Sequence, residues 1–358
     1  MSDVIVIGGG IAGLSAGAQL SALGKVLLLE RESALGYHAS GRSAALYEPN
    51  YGHPVVKALS HAGNDVYEAI AGLLSPRGLL LLAGTHDATG FAAEARDMGL
   101  SPIDIDAARA MVPILDPAAV AHAAHSPLAR DIDTDRLLQH YARAIRDAGG
   151  QIVTGAEVTA IRRKASGWTV TLGSGDTHRA ATLINAAGAW ADGVAALAGV
   201  APKGIQPMRR SVARIPAPDG QDVSGWPMML GLGESWYAKP DAGALIVSPA
   251  DQDPVGPHDA WADDMRLAEG LDRYAHMVTA PVTRLLGSWG GLRSFAPDRV
   301  LVIGPDPADP GFWWFAGQGG YGFQTAAGAS RLLADLVGDK ATQFDAATVA
   351  ALAPARFA

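Results

Sequence analysis

The stretch VIVIGGGIAGLSAGAQLSALGKVLLLE, residues 4–30, decides the predicted fold. Residues 4–7 form a short run of β-branched apolar residues, which is typical of a parallel strand buried on both faces. The small and apolar residues that follow fit a helix closed by Gly24. Residues 26–29 form a second buried strand that ends at Glu30. The stretch therefore predicts a strand–helix–strand unit.

Three glycines of this stretch form the motif G-x-G-x-x-G between the first strand and the helix. Gly8 permits the tight turn, Gly10 lets the backbone approach a pyrophosphate, and Gly13 lets the helix pack closely on the strand. The helix N-terminus offers free N–H groups to phosphate, and Glu30 can accept hydrogen bonds from ribose hydroxyls. The pattern predicts an adenine dinucleotide cofactor, but its spacing alone does not separate FAD from NAD.

Three features favour FAD over NAD. The motif lies at the start of the chain, and TLINAAGAW, residues 182–190, supplies another strand that ends in small residues and glycine. GQGGYG, residues 317–322, precedes a predicted helix whose positive end would lie near the flavin pyrimidine carbonyl. An NAD-dependent dehydrogenase with the same motif remains an alternative.

The rest of the chain predicts a second domain inserted into the first. Residues 54–74 are predicted as one helix, and Asp133 or Thr134 as the cap of a helix that reaches Ala148. Strand-like segments follow to residue 188, and cofactor-type segments stand at the start, middle and end of the chain. We predict an α/β fold with α+β elements. A discontinuous Rossmann-like FAD-binding domain comprises residues 1–75, 131–200 and 291–358, and an inserted mixed-sheet substrate-binding domain comprises residues 76–130 and 201–290.

The composition of the chain excludes several kinds of partner and several kinds of site. Hydrophobic residues make up 49% of the chain and charged residues 18%, which suits a large buried core. The net charge of -8 argues against nucleic acid or an anionic membrane as a partner. The chain has no cysteine, which excludes disulfides, thiolate metal sites and a cysteinyl flavin link. We expect no metal site, no leader peptide, no membrane span and a cytoplasmic location.

Several longer stretches carry a resemblance to a known family. They are GYHASGRSAA, QPMRRS, WPMML, ESWYAKPDAG, SPADQDPV, GLRSFAPD and GQGGYGFQT. In these the chain resembles the D-amino-acid oxidase superfamily of FAD-dependent oxidoreductases, and within it is most similar to the bacterial D-arginine dehydrogenase branch. The resemblance covers nearly the whole chain.

The cofactor implied by this resemblance is FAD held without a covalent bond, with Ser43 close to the flavin ring. Together with the glycine motif and the 182–190 stretch, it yields one set of predicted cofactor-binding residues. They are Gly8, Gly10, Ala12, Gly13, Glu30, Arg31, Ala39, Ser40, Gly41, Arg42, Ser43, Ala44, Ala45, Leu46, Val158, Ala187, Gly188, Trp190, Gly319, Gly320, Tyr321, Gly322, Phe323 and Gln324.

The resemblance also implies a clamp for the substrate carboxylate, made of Arg293, Tyr237 and Tyr51. An arginine can hold a carboxylate through two parallel charge-assisted hydrogen bonds, and tyrosine hydroxyls can complete the clamp. The carbonyl of Gly320 would hold the substrate amine, and Arg210 is a second basic candidate near the site.

Departures from the D-arginine dehydrogenase pattern bear on the substrate side chain. Leu79 stands where that branch has a glutamate that meets the substrate guanidinium, and Leu46 replaces a histidine of the flavin loop. Glu48 replaces a threonine, so a carboxylate reappears close by, and an unpaired buried carboxylate is costly. Met228 is expected to pack against the substrate. We expect an apolar or mixed side chain, with basic ones not excluded.

The predicted reaction is oxidative deamination of an amino acid, most simply a D-amino acid. The hydride on Cα would pass to flavin N5, and the imino acid would hydrolyse to a keto acid and ammonia. The electron acceptor, a quinone, another carrier or O₂, is undecided. Two alternatives remain besides the NAD enzyme: an oxidase of glycine- or sarcosine-type amines that uses O₂, and a flavin-binding sensor without turnover.

Overall fold

Four β-sheets and ten α-helices build the part of the chain that the computed structural model describes, residues 2–165 and 167–357. The strands are β1 (Val4–Ile7), β2 (Val26–Leu29), β3 (Leu46–Tyr47), β4 (Leu74–Pro76), β5 (Leu79–Ala83), β6 (Ser101–Ile103), β7 (His122–Ser126), β8 (Arg130–Ile132), β9 (Gln151–Val153), β10 (Val158–Lys164), β11 (Gly167–Leu172), β12 (Thr177–Ala180), β13 (Thr182–Asn185), β14 (Gln206–Pro216), β15 (Met228–Gly231), β16 (Tyr237–Asp241), β17 (Ala244–Ser248), β18 (Asp253–Pro254), β19 (Gly287–Phe295), β20 (Val302–Pro305) and β21 (Phe312–Ala316). The helices are α1 (Ile11–Leu20), α2 (Pro54–Ala62), α3 (Asn64–Ala69), α4 (Ala88–Asp97), α5 (Ile105–Met111), α6 (Thr134–Asp147), α7 (Ala191–Leu197), α8 (Asp264–Ala275), α9 (Gly322–Val337) and α10 (Ala346–Leu352).

The first sheet, here called the cofactor sheet, has the strand order β20-β21-β13-β1-β2-β9. β1 lies between β2 and β13 and is parallel to both, and all four of its residues are buried. Only β20 runs antiparallel to its neighbour, β21. Parallel strands end at one edge of the sheet, so the glycine turn after β1, Glu30 after β2 and the small residues after β13 lie together. This arrangement confirms the predicted strand–helix–strand unit.

Two helix bounds differ from prediction. α1 ends at Leu20 rather than running to Gly24, because tighter turn bonds take over, with Leu23 N donating to Leu20 O at 2.8 Å. The helix predicted over 54–74 is divided at Gly63 into α2 and α3. A Cβ at Gly63 would lie 2.8 Å from the Ala327 Cβ of α9, so contact with a helix distant in sequence accompanies the break.

Two other sequence predictions concern the middle of the chain. Asp133 does cap α6, since its side chain accepts from Arg136 N at 2.9 Å. The stretch from His178 to Gly188, predicted as one strand-like segment, is divided between β12 in a three-stranded antiparallel sheet and β13 in the cofactor sheet. β13 joins the cofactor sheet because its apolar residues are buried beside β1.

The largest sheet, here called the substrate sheet, has nine strands in the order β18-β14-β17-β16-β15-β5-β7-β6, with β19 also paired to β14. One face carries a core that includes Leu80, Met229 and Leu245. The opposite face carries a second cluster, which includes Leu79, Val212 and Tyr237. The division into two domains stays a proposal, and its boundary at residue 291 falls inside β19, which pairs with β14 along its whole length.

Across the described ranges, no helix combines the length and the apolar character needed to cross a membrane.

Candidate active site

A cavity of about 430 Å³ opens between the carboxyl edge of the cofactor sheet and one face of the substrate sheet. Most predicted cofactor residues line it. They are Gly8, Gly10, Ala12, Glu30, Arg31, Ala39, Ser40, Arg42, Ser43, Ala44, Val158, Ala187, Gly188, Trp190, Gly319, Gly320, Gly322 and Phe323. Folding therefore brings chain segments from the beginning, the middle and the end to one cavity.

The glycine turn forms one wall of this cavity and has little room for side chains. Gly8 has a φ of 113°, and a Cβ there would collide with the carbonyl of Ala186. The Glu30 carboxylate accepts from Gly9 N and, at 2.8 Å, from Glu32 N, which fixes it at the end of β2. A close backbone wall with a fixed acceptor beside it fits the adenosine ribose and pyrophosphate of a dinucleotide.

The N-terminus of α1 points its positive end at the same region. The N-cap is Gly10, which has no side chain to occupy the helix end, and Ile11 N donates to Ser40 Oγ at 3.0 Å. A helix end that bears no acidic side chain in its first turn favours phosphate through its N–H groups and its dipole. The donor set thus fits the pyrophosphate of FAD.

Aromatic and charged side chains enclose the outer part of the cavity. The Arg31 guanidinium lies 4.4 Å from the centre of the Trp190 ring, and His38 Nε2 lies 2.9 Å from Glu32 Oε1. His38 is therefore engaged with a carboxylate. Arg42 donates to the carbonyl of Gly290 at 3.0 Å and thereby ties the flavin loop, residues 39–46, to β19.

Some predicted cofactor residues lie behind the cavity wall, namely Gly13, Gly41, Ala45, Leu46, Tyr321 and Gln324. Gly13 faces the Gly8 carbonyl, where a Cβ would collide, so it serves helix–strand packing as the motif predicts. The Gln324 amide donates to Ser60 Oγ at 3.1 Å inside the protein. These residues shape the wall rather than face the cavity.

Four of the five predicted catalytic residues line the cavity: Arg210, Tyr237, Arg293 and Gly320. β14 and β19 pair so that Met208 faces Arg293 and Arg210 faces Gly291. In an antiparallel pair, this register places both arginines on one face of the sheet as diagonal neighbours, two register positions apart. A Cβ at Gly320 would lie 2.9 Å from Arg293 Nη1, so the guanidinium lies directly beside this loop.

Arg210 is a buried cation, with 5% of its surface exposed. Its Nε donates to the Asp251 carbonyl at 2.9 Å, while its Nη2 has no hydrogen-bond partner within the described ranges. Burial, and then the charge of Arg293, lower its pKa to about 10, so it remains a cation at neutral pH. Two adjacent guanidiniums with an unsatisfied buried donor favour an anionic ligand in the cavity.

Tyr51, the remaining predicted catalytic residue, does not line the cavity. Its hydroxyl donates to the Glu234 carboxylate, and its ring lies 5.5 Å from the ring of Tyr321. Burial, and then the charge of Glu234, raise the pKa of Tyr51 well above its ordinary value. Arg293 and Tyr237 line the cavity and Tyr51 does not, and the clamp predicted from these three residues stays a prediction.

Sequence reasoning missed Glu234 as a site residue. It begins the stretch ESWYAKPDAG, and its φ of 53° is left-handed, which is uncommon for a residue other than glycine. Its charge also raises the pKa of Tyr321, after the effect of burial. The only sequence signal was its place in that stretch, because the contact with Tyr51 spans 183 positions.

The residues predicted to meet the substrate side chain lie on the site-facing side of the substrate sheet. Leu79 belongs to the apolar cluster there, and Leu46, Met228 and Tyr51 pack against it. Tyr237 is part of the same cluster, so the predicted carboxylate clamp and the predicted side-chain pocket adjoin.

Glu48 is buried, with 2% of its surface exposed, and does not line the cavity. Its Oε1 accepts from Asn50 N at 3.1 Å, and its Oε2 has no partner among the residues described. Burial raises the pKa of this carboxyl, since the charged form loses its hydration. Glu48 is thus buried and makes no ion pair with any residue that the structure describes, and its contact with substrate stays a prediction.

Comparison with known proteins agrees with this geometry. The DAO family model, described as FAD dependent oxidoreductase, matches residues 3–336. Glycine oxidase of Geobacillus kaustophilus is 26% identical over 96% of this chain and 95% of its own length. Its crystal structure superimposes with a TM-score of 0.81 at 24% identity over 96% of each chain.

In two other comparisons, the match with this chain covers only part of the relative's length. Human mitochondrial dimethylglycine dehydrogenase is 25% identical over 94% of this chain, which spans only 42% of that protein. D-amino acid dehydrogenase 2 of Ralstonia nicotianae is 44% identical over 62 residues, 17% of this chain and 14% of that protein.

Proposed function

Because the chain belongs to the DAO family of FAD-dependent oxidoreductases, we propose that it oxidatively deaminates a D-amino acid with an apolar or mixed side chain. FAD is its cofactor, and oxidation of an amine or amino acid is its reaction class. The observation that carries the substrate proposal is the pair of guanidiniums, Arg210 and Arg293, in the wall of the FAD cavity.

The side chains act by binding and orienting the substrate. Arg293 and Tyr237 hold its carboxylate, and Arg210 adds a second positive charge in a site largely removed from water. Because Arg293 lies beside Gly320, a carboxylate held by its guanidinium brings the substrate amine to the Gly320 carbonyl, which accepts its hydrogen bond. FAD, bound without a covalent link, supplies the acceptor for the hydride that leaves Cα.

Support for an apolar side chain comes from the site-facing cluster around Leu79, with Leu46 and Met228 packed against it. A charged substrate side chain would lose its hydration beside these apolar residues. The partial match to a D-amino acid dehydrogenase supports the D configuration.

Oxidation of glycine- or sarcosine-type amines with O₂ is the second candidate. The match to glycine oxidase over nearly the full length of both chains supports it equally well. Glycine has no side chain and would leave the cluster around Leu79 without a contact, which separates the two candidates physically.

Anaerobic bleaching of the flavin tests both candidates. The purified protein is mixed with D- and L-amino acids, glycine, sarcosine and proline, and the absorbance of the oxidised flavin is followed. Fastest bleaching by apolar D-amino acids supports our proposal, whereas fastest bleaching by glycine or sarcosine supports the alternative. An oxidised flavin that no amine bleaches contradicts both. Peroxide formation in air, compared with reduction of an artificial dye, identifies the electron acceptor class.

A further inference from the structure

Strand β16 presents two functional side chains to the site-facing side of the substrate sheet. Tyr237 and Lys239 are two positions apart, and alternate residues of a strand point to the same face. Tyr237 lines the cavity, whereas Lys239 lies outside its lining and is 9% exposed. A buried lysine at this position has no part in the mechanism above and requires an explanation.

The Lys239 ammonium donates hydrogen bonds to the flavin loop and to β8. Its Nζ donates to the carbonyl of Ala44 at 2.6 Å and to Asp131 Oδ1 at 2.7 Å. Asp131 Oδ2 in turn accepts from Arg77 Nε at 2.7 Å, and Arg77 donates to the Trp226 carbonyl at 2.7 Å. The chain Arg77–Asp131–Lys239 is satisfied at each step and ends on the backbone of a residue that lines the cavity.

The loop at this point adopts a conformation that it would not hold by itself. Ala45 has a φ of 41°, a left-handed value that is unfavourable for a residue with a Cβ. Ile132 N donates to the Ala45 carbonyl at 3.1 Å, and Leu46 pairs with Asp131. These bonds tie the loop to β8. The hydrogen bond from Lys239 to the Ala44 carbonyl ties the loop instead to β16, the strand that also carries Tyr237.

A gain in the free energy of folding does not by itself account for the buried ion pair between Lys239 and Asp131. Removing a lysine from water costs about as much as its ion pair returns, and apolar replacements of buried pairs are often neutral. What the bond to the Ala44 carbonyl does supply is a fixed distance between the flavin loop and β16.

We propose that Lys239 is a positioning residue that holds the flavin loop at residues 43–45 in register with the substrate clamp at Tyr237. It touches neither substrate nor flavin. It acts through the Ala44 carbonyl, and Asp131 and Arg77 fix its direction. This inference rests on the proposed function, in which FAD occupies the cavity and Tyr237 meets the substrate.

Lys239→Met tests the proposal, with Lys203→Met as the matched control. Lys203 is equally buried, at 8% exposure, and its Nζ lies 3.0 Å from Asp306 Oδ2, but it does not line the cavity or contact the flavin loop. Five quantities are measured: hydrogen exchange of residues 43–47 in the apoprotein, the dissociation constant for FAD, the visible circular dichroism of the bound flavin, kcat and KM.

For Lys239→Met we expect faster exchange at residues 43–47 and FAD binding about ten- to hundredfold weaker, as loss of a charge-assisted hydrogen bond implies. The flavin dichroism should change, and kcat should fall more than KM rises. Lys203→Met should lower the melting temperature without any of these changes, and Lys239→Arg should restore part of the wild-type behaviour. Asp131→Asn should change the same quantities less, and it carries the test if Lys239→Met does not fold.

The proposal is overturned if Lys239→Met or Asp131→Asn alters loop exchange, FAD affinity and dichroism no more than Lys203→Met does. Failure of the proposed function looks different, because the wild-type protein itself would then bind no FAD or would not be bleached by any amine.

Discussion

At the scale of single residues, the site is dominated by two like charges held close together. Arg210 and Arg293 repel each other, and the resulting unfavourable energy is part of why the pKa of Arg210 is lowered. An anion between them removes the repulsion and supplies an acceptor for Arg210 Nη2, which has none among the residues that the structure covers. The arrangement is therefore more favourable with a carboxylate bound than without one.

Arg293→Ala should weaken substrate binding while leaving the cofactor in place. We expect kcat/KM to fall about 10²- to 10³-fold, mainly through KM, because the partner of the substrate carboxylate is lost. The absorbance spectrum of the bound flavin should stay nearly unchanged. Steady-state kinetics and the spectrum check this prediction, and an unaltered KM would show that the carboxylate binds elsewhere.

Glu234→Gln should lower the pKa of the Tyr51 phenol. The Glu234 charge helps to keep this phenol protonated by raising its pKa, so its removal should move the ionisation of Tyr51 to lower pH, as measured by tyrosinate absorbance in an ultraviolet pH titration. Burial is the larger cause of the raised pKa and persists in the variant, so the pKa should stay above that of an exposed tyrosine.

The control for Glu234→Gln is Tyr51→Phe, which has no phenol to ionise. The ionisation step of Tyr51 should be absent from the ultraviolet titration of this variant, which assigns the step. A step at the same pH in Glu234→Gln and the wild type would show that Glu234 does not influence the Tyr51 phenol.

Local residue patterns were enough to predict much of this site. The glycine motif and Glu30 could be placed from residues 4–30, because strand, turn and helix lie within one continuous stretch. The bond between Tyr51 and Glu234 could not be predicted, since it depends on where the 3₁₀ turn at Leu232–Glu234 is placed by folding. Nor did the sequence indicate that Glu48 would be buried with Oε2 unpaired in the described part of the chain.

At the scale of elements, the same distinction between local and long-range causes applies. The strands of the cofactor sheet were predictable from their apolar runs. The break between α2 and α3 was not, because it occurs where α9 crosses Gly63. α2 and α9 pack without side chains between them at one point, where Gly328 meets the backbone of Leu59.

Gly328→Ala should therefore destabilise the protein. A Cβ at this position would collide with the Leu59 carbonyl oxygen, and a backbone atom cannot move aside as a side-chain tip can. We expect a loss of about 1–3 kcal/mol in the free energy of unfolding, measured by chemical denaturation.

Gly90→Ala in α4 is the matched control, since its Cβ would meet only the Leu232 side chain at an ordinary 3.6 Å. This change should stabilise the protein by about 0.5–1 kcal/mol, the usual gain from replacing glycine inside a helix. Similar losses in both variants would mean that the close contact between α2 and α9 is not the cause.

At the scale of the whole molecule, the cavity joins parts of the chain that are far apart in sequence. Its lining runs from Ile7 through Ala156 and Arg210 to Phe323, so both large sheets contribute to it. A ligand there contacts both sheets at once and is expected to stabilise them together.

FAD should accordingly raise the unfolding temperature of the apoprotein in a concentration-dependent manner. At about a hundred times its dissociation constant, it should add about 2.7 kcal/mol to the free energy of unfolding. Thermal unfolding at increasing FAD measures the effect, with NAD at equal concentrations as the control. A melting temperature that responds to NAD and not to FAD would contradict the cofactor assignment.

The pairing of β14 with β19 has a consequence for how the sequence can vary. The strands bring Arg210 and Arg293 together only in the observed alignment, in which Met208 faces Arg293. Deleting or inserting one residue within either strand would send one guanidinium to the far side of the sheet. Relatives that retain both arginines should therefore differ in length only in the connections outside β14 and β19. A one-residue insertion or deletion inside either strand would indicate a protein that no longer binds the carboxylate of an acid.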